Sequence, residues 1–203
     1  MRMFDPKEIY LLENEVVRLT PLHADDHKHL LPFALNEPEL WKYSLFSAAG
    51  SEGLKAYIDK ALAARSNSIE YPFIVFDKRT NEYAGSTRFY DIQTGNKMLQ
   101  LGYTWYGKKF QGSGLNKNCK LLLLQFAFEE LKMERVEFRA DNRNEKSIAA
   151  MKSIGCVQEG ILRSHAITHG EERRDSIVLS ILKKEWEQGV KEKLVEKILH
   201  QLD

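Results

Sequence analysis

The stretch Lys108-Lys109-Phe110-Gln111-Gly112-Ser113-Gly114-Leu115-Asn116 decides the fold of this 203-residue chain. A strand-like run, Met98 to Trp105, precedes it, and a long apolar helix-like run, Leu115 to Leu131, follows it. A glycine loop between a strand and a helix leaves backbone N–H groups free and directs a helix N-terminus towards a bound anion. The stretch therefore predicts an anion-binding loop with the rest of the chain built around it.

The segments before this loop are typical of one strand, two helices and a meander of three strands. Glu15 to Leu19 is the first strand, and apolar residues at helical spacing follow Asp25 and recur between Leu54 and Leu62. The three meander strands are Tyr71 to Asp77, Tyr83 to Asp91 and Met98 to Tyr106. Their short polar connections imply that neighbouring strands are antiparallel.

The segments after the loop add a crossover strand, a helix, a hairpin and a final helix. Arg135 to Ala140 alternates in polarity and is reached through a helix, so it should run parallel to the third meander strand. Asn144 is a predicted helix cap, and Val157 to Ile167 with Asp175 to Leu182 forms a predicted hairpin. The tail, about 184–202, is an amphipathic helix that packs on the domain or on a second subunit. This order predicts an α+β fold with a mixed, mostly antiparallel sheet flanked by helices, in a single domain spanning 1–203.

Composition limits the classes of partner and the compartment. The formal net charge of +1 gives no case for nucleic acid or an anionic membrane as a partner. Cys119 and Cys156 provide neither a disulfide framework nor metal-ligand spacing, and the start lacks the apolar core of a signal peptide. His23, His27 and His29 indicate a solvated helix face rather than a metal site. We therefore expect a cytoplasmic protein without a metal.

The loop differs from two common nucleotide-binding motifs and resembles a different phosphate-binding loop. It lacks the Gly-Lys-Ser/Thr of a P-loop and the third glycine of a Rossmann fingerprint. Gln111-Gly112-Ser113-Gly114-Leu115-Asn116 resembles the pyrophosphate loop of the GNAT superfamily of acyl-CoA N-acyltransferases, whose pattern is Arg/Gln-x-x-Gly-x-Gly/Ala. Gln111 and Gly114 match this pattern. Asn116 departs from its last position, although an asparagine there can still cap the helix.

A second stretch resembles one branch of that superfamily. Asn144-Glu145-Lys146-Ser147, followed by Ser153-Ile154-Gly155-Cys156-Val157-Gln158-Glu159-Gly160, is similar to the Asn-x-x-Ser … Gly-Phe-x-x-Glu-Gly stretch of the ribosomal-protein N-acetyltransferases (RimJ/RimL-like). The resemblance implies a GNAT-like fold. It also implies transfer of an acetyl group from acetyl-CoA to a primary amine, on a protein N-terminus or a small molecule, directly within a ternary complex.

The resemblance also assigns roles to particular residues. The implied contacts to acetyl-CoA come from the third meander strand, the loop and the helix cap: Tyr103, Thr104, Trp105, Gln111, Gly112, Ser113, Gly114, Leu115, Asn116 and Asn144. Ser147 would donate a proton to the departing sulfur. From the sequence alone, however, a helix cap and a first-turn serine are the favoured explanation of Asn144 and Ser147.

The base that deprotonates the amine is not evident in the sequence. Members of this branch often carry Glu where this chain has Gln100, and an amide cannot act as a base at neutral pH. His165 is a candidate because an imidazole titrates near neutrality, and Asp91 is a weaker one. Otherwise the amine arrives neutral from water, or catalysis is lost. A non-catalytic acyl-CoA-binding module is thus an alternative function, and a nucleotide-binding protein is a weaker one.

Two further features concern the acceptor and assembly. The aromatic residues Trp41, Tyr43 and Phe46 either line an acceptor pocket or pack in the core. The amphipathic tail and the strands that could lie at a sheet edge make a homodimer possible.

Overall fold

A computed structural model describes residues 4–200 of the chain. Within these residues, eight strands form one sheet, and in chain order they are β1 (Leu12–Glu13), β2 (Val17–Pro21), β3 (Glu70–Asp77), β4 (Glu82–Gln93), β5 (Met98–Tyr106), β6 (Arg135–Asp141), β7 (Val157–Ile167) and β8 (Arg173–Leu182). Across the sheet they lie in the order β1-β2-β3-β4-β5-β6-β8-β7. Every neighbouring pair is antiparallel except β5 and β6, which are parallel. The predicted α+β fold with a mixed, mostly antiparallel sheet is confirmed.

The helices occupy the positions that the apolar spacing predicts. They are α1 (His27–Asn36), α2 (Gly50–Ser66), α3 (Leu115–Gln125), α4 (Glu145–Ser153), α5 (Lys183–Glu185) and α6 (Lys191–Leu199). Wider helical turns at Phe126–Glu130 and Trp186–Val190 extend α3 and join α5 to α6, respectively. Among residues 4–200, each helix is either too short or too polar to cross a lipid bilayer.

The bounds of the first strand and of the tail helix differ from the prediction. The first long strand begins at Val17 and includes Pro21, which pairs with Phe73, and the two-residue β1 precedes it. The predicted tail helix begins at Lys183 and is interrupted at Gly189, whose φ of 130° breaks the helical path. The last helical residue is Leu199, and residues 201–203 lie outside the described part of the chain.

The helices cover both faces of the sheet. On one face, α2 places the Tyr57 ring against the guanidinium of Arg88 in β4. On the other face, α3 places Lys120 against Thr104 in β5, with a hydrogen bond of 2.8 Å. The tail packs on its own domain, because Trp186 is fully buried and stacks on Phe128. The sheet is therefore open to ligands mainly where its strands diverge.

Candidate active site

Strands β5 and β6 pair for only three residues and then separate. Their parallel pairing runs from Met98 opposite Arg135 to Gln100 opposite Glu137 and goes no further within the described chain. Beyond that point β6 remains paired with β8, and β5 remains paired with β4. The backbone groups on the β6 side of residues 101–106 therefore face a wedge-shaped gap rather than a neighbouring strand.

A bulge at Tyr103 bends β5 beside this gap. Tyr103 has a φ of 47°, and the pairing of β5 with β4 shifts register across it. A bulge of this kind increases the local bend and twist of the strand. Tyr103, Thr104 and Trp105 thus lie along the gap, as the resemblance implies for pantetheine contacts. The carbonyl of Tyr103 already accepts a hydrogen bond of 3.3 Å from the hydroxyl of Tyr57.

Gly102 allows a tyrosine ring to lie directly on β5. A Cβ added at Gly102 would be 2.9 Å from Cε1 of Tyr90 and 3.4 Å from its hydroxyl oxygen. The Tyr90 ring also meets the Tyr103 ring edge-on, with the ring centres 5.0 Å apart. Burial raises the pKa of Tyr90 above its usual value, so its hydroxyl keeps its proton near neutral pH. Tyr90 is a proton donor near the gap that sequence reasoning missed.

The glycine loop ends in a helix whose first N–H groups are free of helical bonds. Gly112 and Gly114 have φ of 76° and 82°, and α3 begins at Leu115. The first helical bond there is from the N–H of Asn118 to the carbonyl of Gly114 at 3.2 Å. The preceding N–H groups of the first turn therefore have no helical partner and can bind an anion. A Cβ added at Gly112 would meet no atom within 4 Å, so the space beside the loop is open.

One expectation for the loop needs correction. Asn116 does not cap the helix, because Gly114 occupies the cap position and Asn116 is the second residue of α3. The amide that supports this turn is Asn118, which donates to the Gly114 carbonyl at 3.1 Å and accepts from Asn14 at 2.9 Å. Leu115 is fully buried in the core, so only its backbone is available to a ligand.

Side chains hold the loop in place from both sides. Gln111 donates to the carbonyl of Tyr106 at 2.9 Å, and the hydroxyl of Ser113 donates to the carbonyl of Phe110 at 2.7 Å. Arg79 donates to the carbonyl of Ser113 at 2.9 Å. The loop is thus ordered by its own side chains, which lowers the entropy cost of binding an anion there.

Lys146 is a cation beside the loop that sequence reasoning did not assign. Its ammonium donates to Oε1 of Gln111 at 2.9 Å, and its side chain is exposed. The acceptor is a neutral amide, so this bond leaves the charge of Lys146 available to a bound phosphate. The sequence places Lys146 inside the Asn-x-x-Ser stretch. Only the folded chain, however, brings the start of α4 against the loop.

Asn144 and Ser147 form the helix cap that their spacing predicts. The side-chain oxygen of Asn144 accepts a hydrogen bond of 3.1 Å from the N–H of Ser147. Both residues are partly exposed at the start of α4. The capping bond orients the Asn144 amide and leaves the hydroxyl of Ser147 available for another role.

His165 belongs to a polar cluster on β6, β7 and β8. Its Nδ1 lies 3.0 Å from Oγ of Ser176, and its Nε2 lies 3.4 Å from a guanidinium nitrogen of Arg139. Since an arginine can only donate, this arrangement fits a neutral ring with its proton on Nδ1. Partial burial, followed by the charges of Arg139 and Arg174, lowers the pKa of His165 below its usual value. The ring is therefore neutral near pH 7, as a base requires.

Gln100 is hydrogen-bonded to Asp91, the second candidate for the base. Its amide nitrogen donates to Oδ2 of Asp91 at 2.7 Å, and its side chain is buried. Asp91 also accepts from Gln93 at 3.0 Å, so both of its oxygens are hydrogen-bonded to amides. Gln100 and Asp91 thus form a fixed pair at the point where β5 and β6 begin to separate.

A cavity of about 360 Å³ lies between α2 and the sheet. Tyr103 contributes to its wall and also carries the bulge at the gap, so the cavity adjoins the gap. The residues that line it are Leu45, Phe46, Ser47, Ala56, Tyr57, Lys60, Glu70, Arg88, Tyr103 and His169. Of the three predicted aromatic residues, only Phe46 lines this cavity. Trp41 is buried against Trp105 in the core, and the carbonyl of Tyr43 accepts a hydrogen bond from Arg174.

Comparison with known sequences identifies this arrangement. The family profile described as "Acetyltransferase (GNAT) domain" matches residues 17–157. The chain belongs to the GNAT acetyltransferase family. It is therefore an N-acetyltransferase that acts on an amine acceptor and uses acetyl-CoA, as the family does.

Relatives of this GNAT protein cover nearly its whole length. It is 29% identical over 181 residues to the "Putative ribosomal N-acetyltransferase YdaF" of Bacillus subtilis (strain 168), covering 86% of this chain and 95% of that protein. A crystal structure described as that of a "putative acetyltransferase", from T. thermophilus, has a TM-score of 0.84 and 33% identity, covering 97% of this chain and 99% of that one.

A more distant structure supports the fold alone. Mycobacterium smegmatis RimJ, solved in complex with CoA-disulfide, has a TM-score of 0.79 at 19% identity and covers 95% of each chain. The resemblance to a GNAT enzyme with RimJ-like homologues, inferred from the loop and the Asn144 stretch, is confirmed.

Proposed function

We propose that this enzyme transfers the acetyl group of acetyl-CoA directly to a primary amine while both substrates are bound. The observation that carries the proposal is the separation of β5 from β6 immediately before the glycine loop. The gap offers unpaired strand groups to the amides of a pantetheine arm, and the loop offers free N–H groups to a pyrophosphate. The amine acceptor is a protein N-terminus or a small molecule.

The proposed contacts to acetyl-CoA follow the order of the chain. The backbone groups of Tyr103, Thr104 and Trp105 hold the pantetheine arm. The residues of the pyrophosphate cradle are Gln111, Gly112, Ser113, Gly114, Leu115 and Asn116, of which Leu115 acts through its backbone. Asn144 contacts the pantetheine arm from the start of α4, and Lys146 adds a positive charge beside the cradle at Gln111. Acetyl-CoA supplies the reactive thioester when bound.

The proposed chemistry needs a base for the ammonium and a proton donor for the departing sulfur. The acceptor ammonium loses a proton to His165, whose neutral ring is favoured near pH 7. The acceptor nitrogen then bonds to the acetyl carbon as the carbon–sulfur bond breaks. Ser147 donates a proton to the departing sulfur, so CoA leaves as a thiol, and the second proton of the attacking nitrogen restores the hydroxyl of Ser147. The hydroxyl of Tyr90, beside Gly102, is the alternative donor to the sulfur.

The test of the proposal is CoA-thiol release measured across a panel of amines. The panel contains N-terminal peptides, polyamines, amino acids and aminoglycosides, each with a control lacking the amine. Steady-state rates measured while both substrates vary distinguish direct transfer from an acetyl-enzyme, because ping-pong kinetics are the mark of the latter. Parallel lines in a double-reciprocal plot, or no thiol release with any amine, would overturn the proposal.

We also propose a cytoplasmic enzyme of one domain, 1–203, that forms a homodimer. The edge strand β7 supports dimerisation, because Val157, Ile161 and Ile167 are each 43–55% exposed along it. An exposed apolar edge strand is a surface that proteins usually cover. Sedimentation equilibrium measures the mass in solution, and a monomer at all concentrations would contradict the dimer.

A further inference from the structure

The cavity beside Tyr103 has a polar floor within a mostly apolar lining. Arg88 lies there almost completely buried, between the rings of Tyr57 and Tyr103. The central carbon of its guanidinium, Cζ, is 4.5 Å from the centre of the Tyr57 ring and 4.3 Å from the centre of the Tyr103 ring. Glu70 accepts a hydrogen bond from Nη1 of Arg88 at 2.6 Å. The two rings and one carboxylate fix the guanidinium in a single orientation.

Arg88 does not use all of its donors. Its Nε and Nη2 are buried and have no hydrogen-bond partner among the described residues. Leaving buried charged donors unpaired is costly, and a bound ion or ligand is one way to satisfy them. Because the single carboxylate of Glu70 is already bonded to Nη1, the remaining donors favour a second anion in the same cavity.

Lys60 adds a second positive charge at the same cavity. Its ammonium lies 3.1 Å from the centre of the Phe46 ring, and both residues line the cavity. Burial, together with the charge of Arg88, lowers the pKa of Lys60 from its usual value, while Glu70 acts in the opposite direction. The lining holds the cations of Lys60 and Arg88 and the carboxylate of Glu70, so its net charge is positive.

A positive lining is unexpected in a pocket that must receive an amine. The ammonium group of an acceptor is repelled by Lys60 and Arg88 unless the same molecule carries a compensating negative charge. A cavity of about 360 Å³ is at the small end of ligand pockets and suits one amino-acid-sized group rather than a long chain.

Resting on the proposed function, we propose that the acceptor is an amine that also carries a carboxylate, which Lys60 and Arg88 bind in this cavity. The carboxylate accepts from the ammonium of Lys60 and is attracted by the buried positive charge of Arg88. The acceptor amine is then held beside Tyr103, where the gap between β5 and β6 begins. The carboxylate belongs either to a free amino acid or to an acidic first residue of a peptide.

Shape-matched amines test this assignment. One arm compares free amino acids with their carboxamides. The other compares short C-terminally amidated peptides that begin with Asp or Glu against those that begin with Asn or Gln. CoA-thiol release is measured for each pair. We expect the carboxylate member to have a kcat/KM about tenfold higher in one of the two arms, as a charge-assisted hydrogen bond would give. The arm that shows the preference identifies the source of the carboxylate.

Substitutions at Lys60 assign the preference to the cavity. Lys60→Gln should remove most of the preference, and Lys60→Glu should reverse it in favour of the amide member. Lys55→Gln is the matched control, because Lys55 lies on the same helix, is exposed and pairs with Asp59 outside the cavity. Arg88→Gln should also lose the preference. Since Arg88 is buried, the thermal unfolding of the Arg88→Gln variant is measured first. If this variant does not fold, the Lys60 variants alone decide whether the cavity binds the carboxylate.

The outcomes separate this inference from the proposed function. Equal kcat/KM within every pair, or a preference unchanged by Lys60→Gln, would overturn the carboxylate assignment while leaving amine acetylation intact. Thiol release with neutral amines or polyamines but with no carboxylate-bearing amine would have the same meaning. No thiol release with any amine would instead overturn the proposed function, and this assignment with it.

Discussion

Replacing Gly112 by alanine tests whether the loop is the pyrophosphate site. Gly112 has a φ of 76°, and a Cβ added there would meet no atom within 4 Å. The substitution therefore causes no clash in the ligand-free protein. Its cost comes from the backbone, because a residue with a Cβ is disfavoured in this conformation by about 1–2 kcal/mol.

The expected loss of stability is small and can be calculated. Alanine also restricts the unfolded chain, which returns about 0.4–1 kcal/mol, so the net loss is about 1 kcal/mol. For a chain of this size, that loss lowers the midpoint of thermal unfolding by about 2–4 °C. Gly95→Ala is the matched control. Gly95 also has open space around it and lacks a positive φ, so its variant should be as stable as the parent protein or slightly more so.

The expected effect on acetyl-CoA is larger than the effect on stability. The methyl group enters the open space beside the loop, and any relaxation of φ moves the N–H groups that should bind the pyrophosphate. Loss of one charge-assisted hydrogen bond should raise the KM for acetyl-CoA by about tenfold while kcat stays within about twofold. Gly95→Ala should leave both constants unchanged. An unchanged KM in Gly112→Ala, measured by CoA-thiol release, would refute the assignment of the loop.

Three further substitutions or reagents test other parts of the site. Ser147→Ala should lower kcat by at least about a hundredfold with nearly constant acetyl-CoA affinity, and unchanged turnover would remove Ser147 from the mechanism. His165, whose pKa is lowered by partial burial and by Arg139, should give kcat/KM an ascending limb below pH 6.5. His165→Ala should abolish that limb, so its persistence would exclude the imidazole. Burial raises the pKa of the Cys119 and Cys156 thiols to about 12, so a thiol reagent should label them only after denaturation. Rapid labelling of the folded protein would show that these residues are exposed.

The loop and the helix after it could be predicted because their signals are local in sequence. Gly112 and Gly114 mark the loop, the apolar spacing after Leu115 marks the helix, and the crossover dictates a parallel neighbour for β5. The prediction that Asn116 caps the helix is wrong because the glycine at 114 starts the helix in a left-handed conformation, so no side chain is needed to set that end.

The cavity proposed for the acceptor could not be predicted because its residues converge from distant segments. Lys60 lies on a helix, Glu70 starts one strand, Arg88 lies inside the next, and His169 lies in a late turn. Arg88 in particular occurs in a strand whose sequence gives no sign that its guanidinium is buried. Its role depends on strand register and on the packing of α2, which are tertiary properties.

The Gln100–Asp91 pair explains how the usual glutamate position can hold an amide. A glutamate at position 100 would bring a second carboxylate to the place where the Gln100 amide now lies 2.7 Å from Asp91. A carboxylate buried at position 100 would be strongly disfavoured in its ionised form so close to the carboxylate of Asp91. The amide instead donates to Asp91 and leaves a single fixed charge beside the gap.

With an amide at position 100, β5 provides no side chain at this position that can act as the base. The candidate that remains, His165, lies on β7 and is held by Arg139 of β6 and Ser176 of β8. The groups proposed to deprotonate and to bind the acceptor thus come from the late strands, β3, β4 and α2, whereas the groups proposed to hold acetyl-CoA come from β5, the loop and the first turns of α3 and α4. Because the two sets share little beyond Tyr103, the acceptor side can change between relatives while the acetyl-CoA side stays the same.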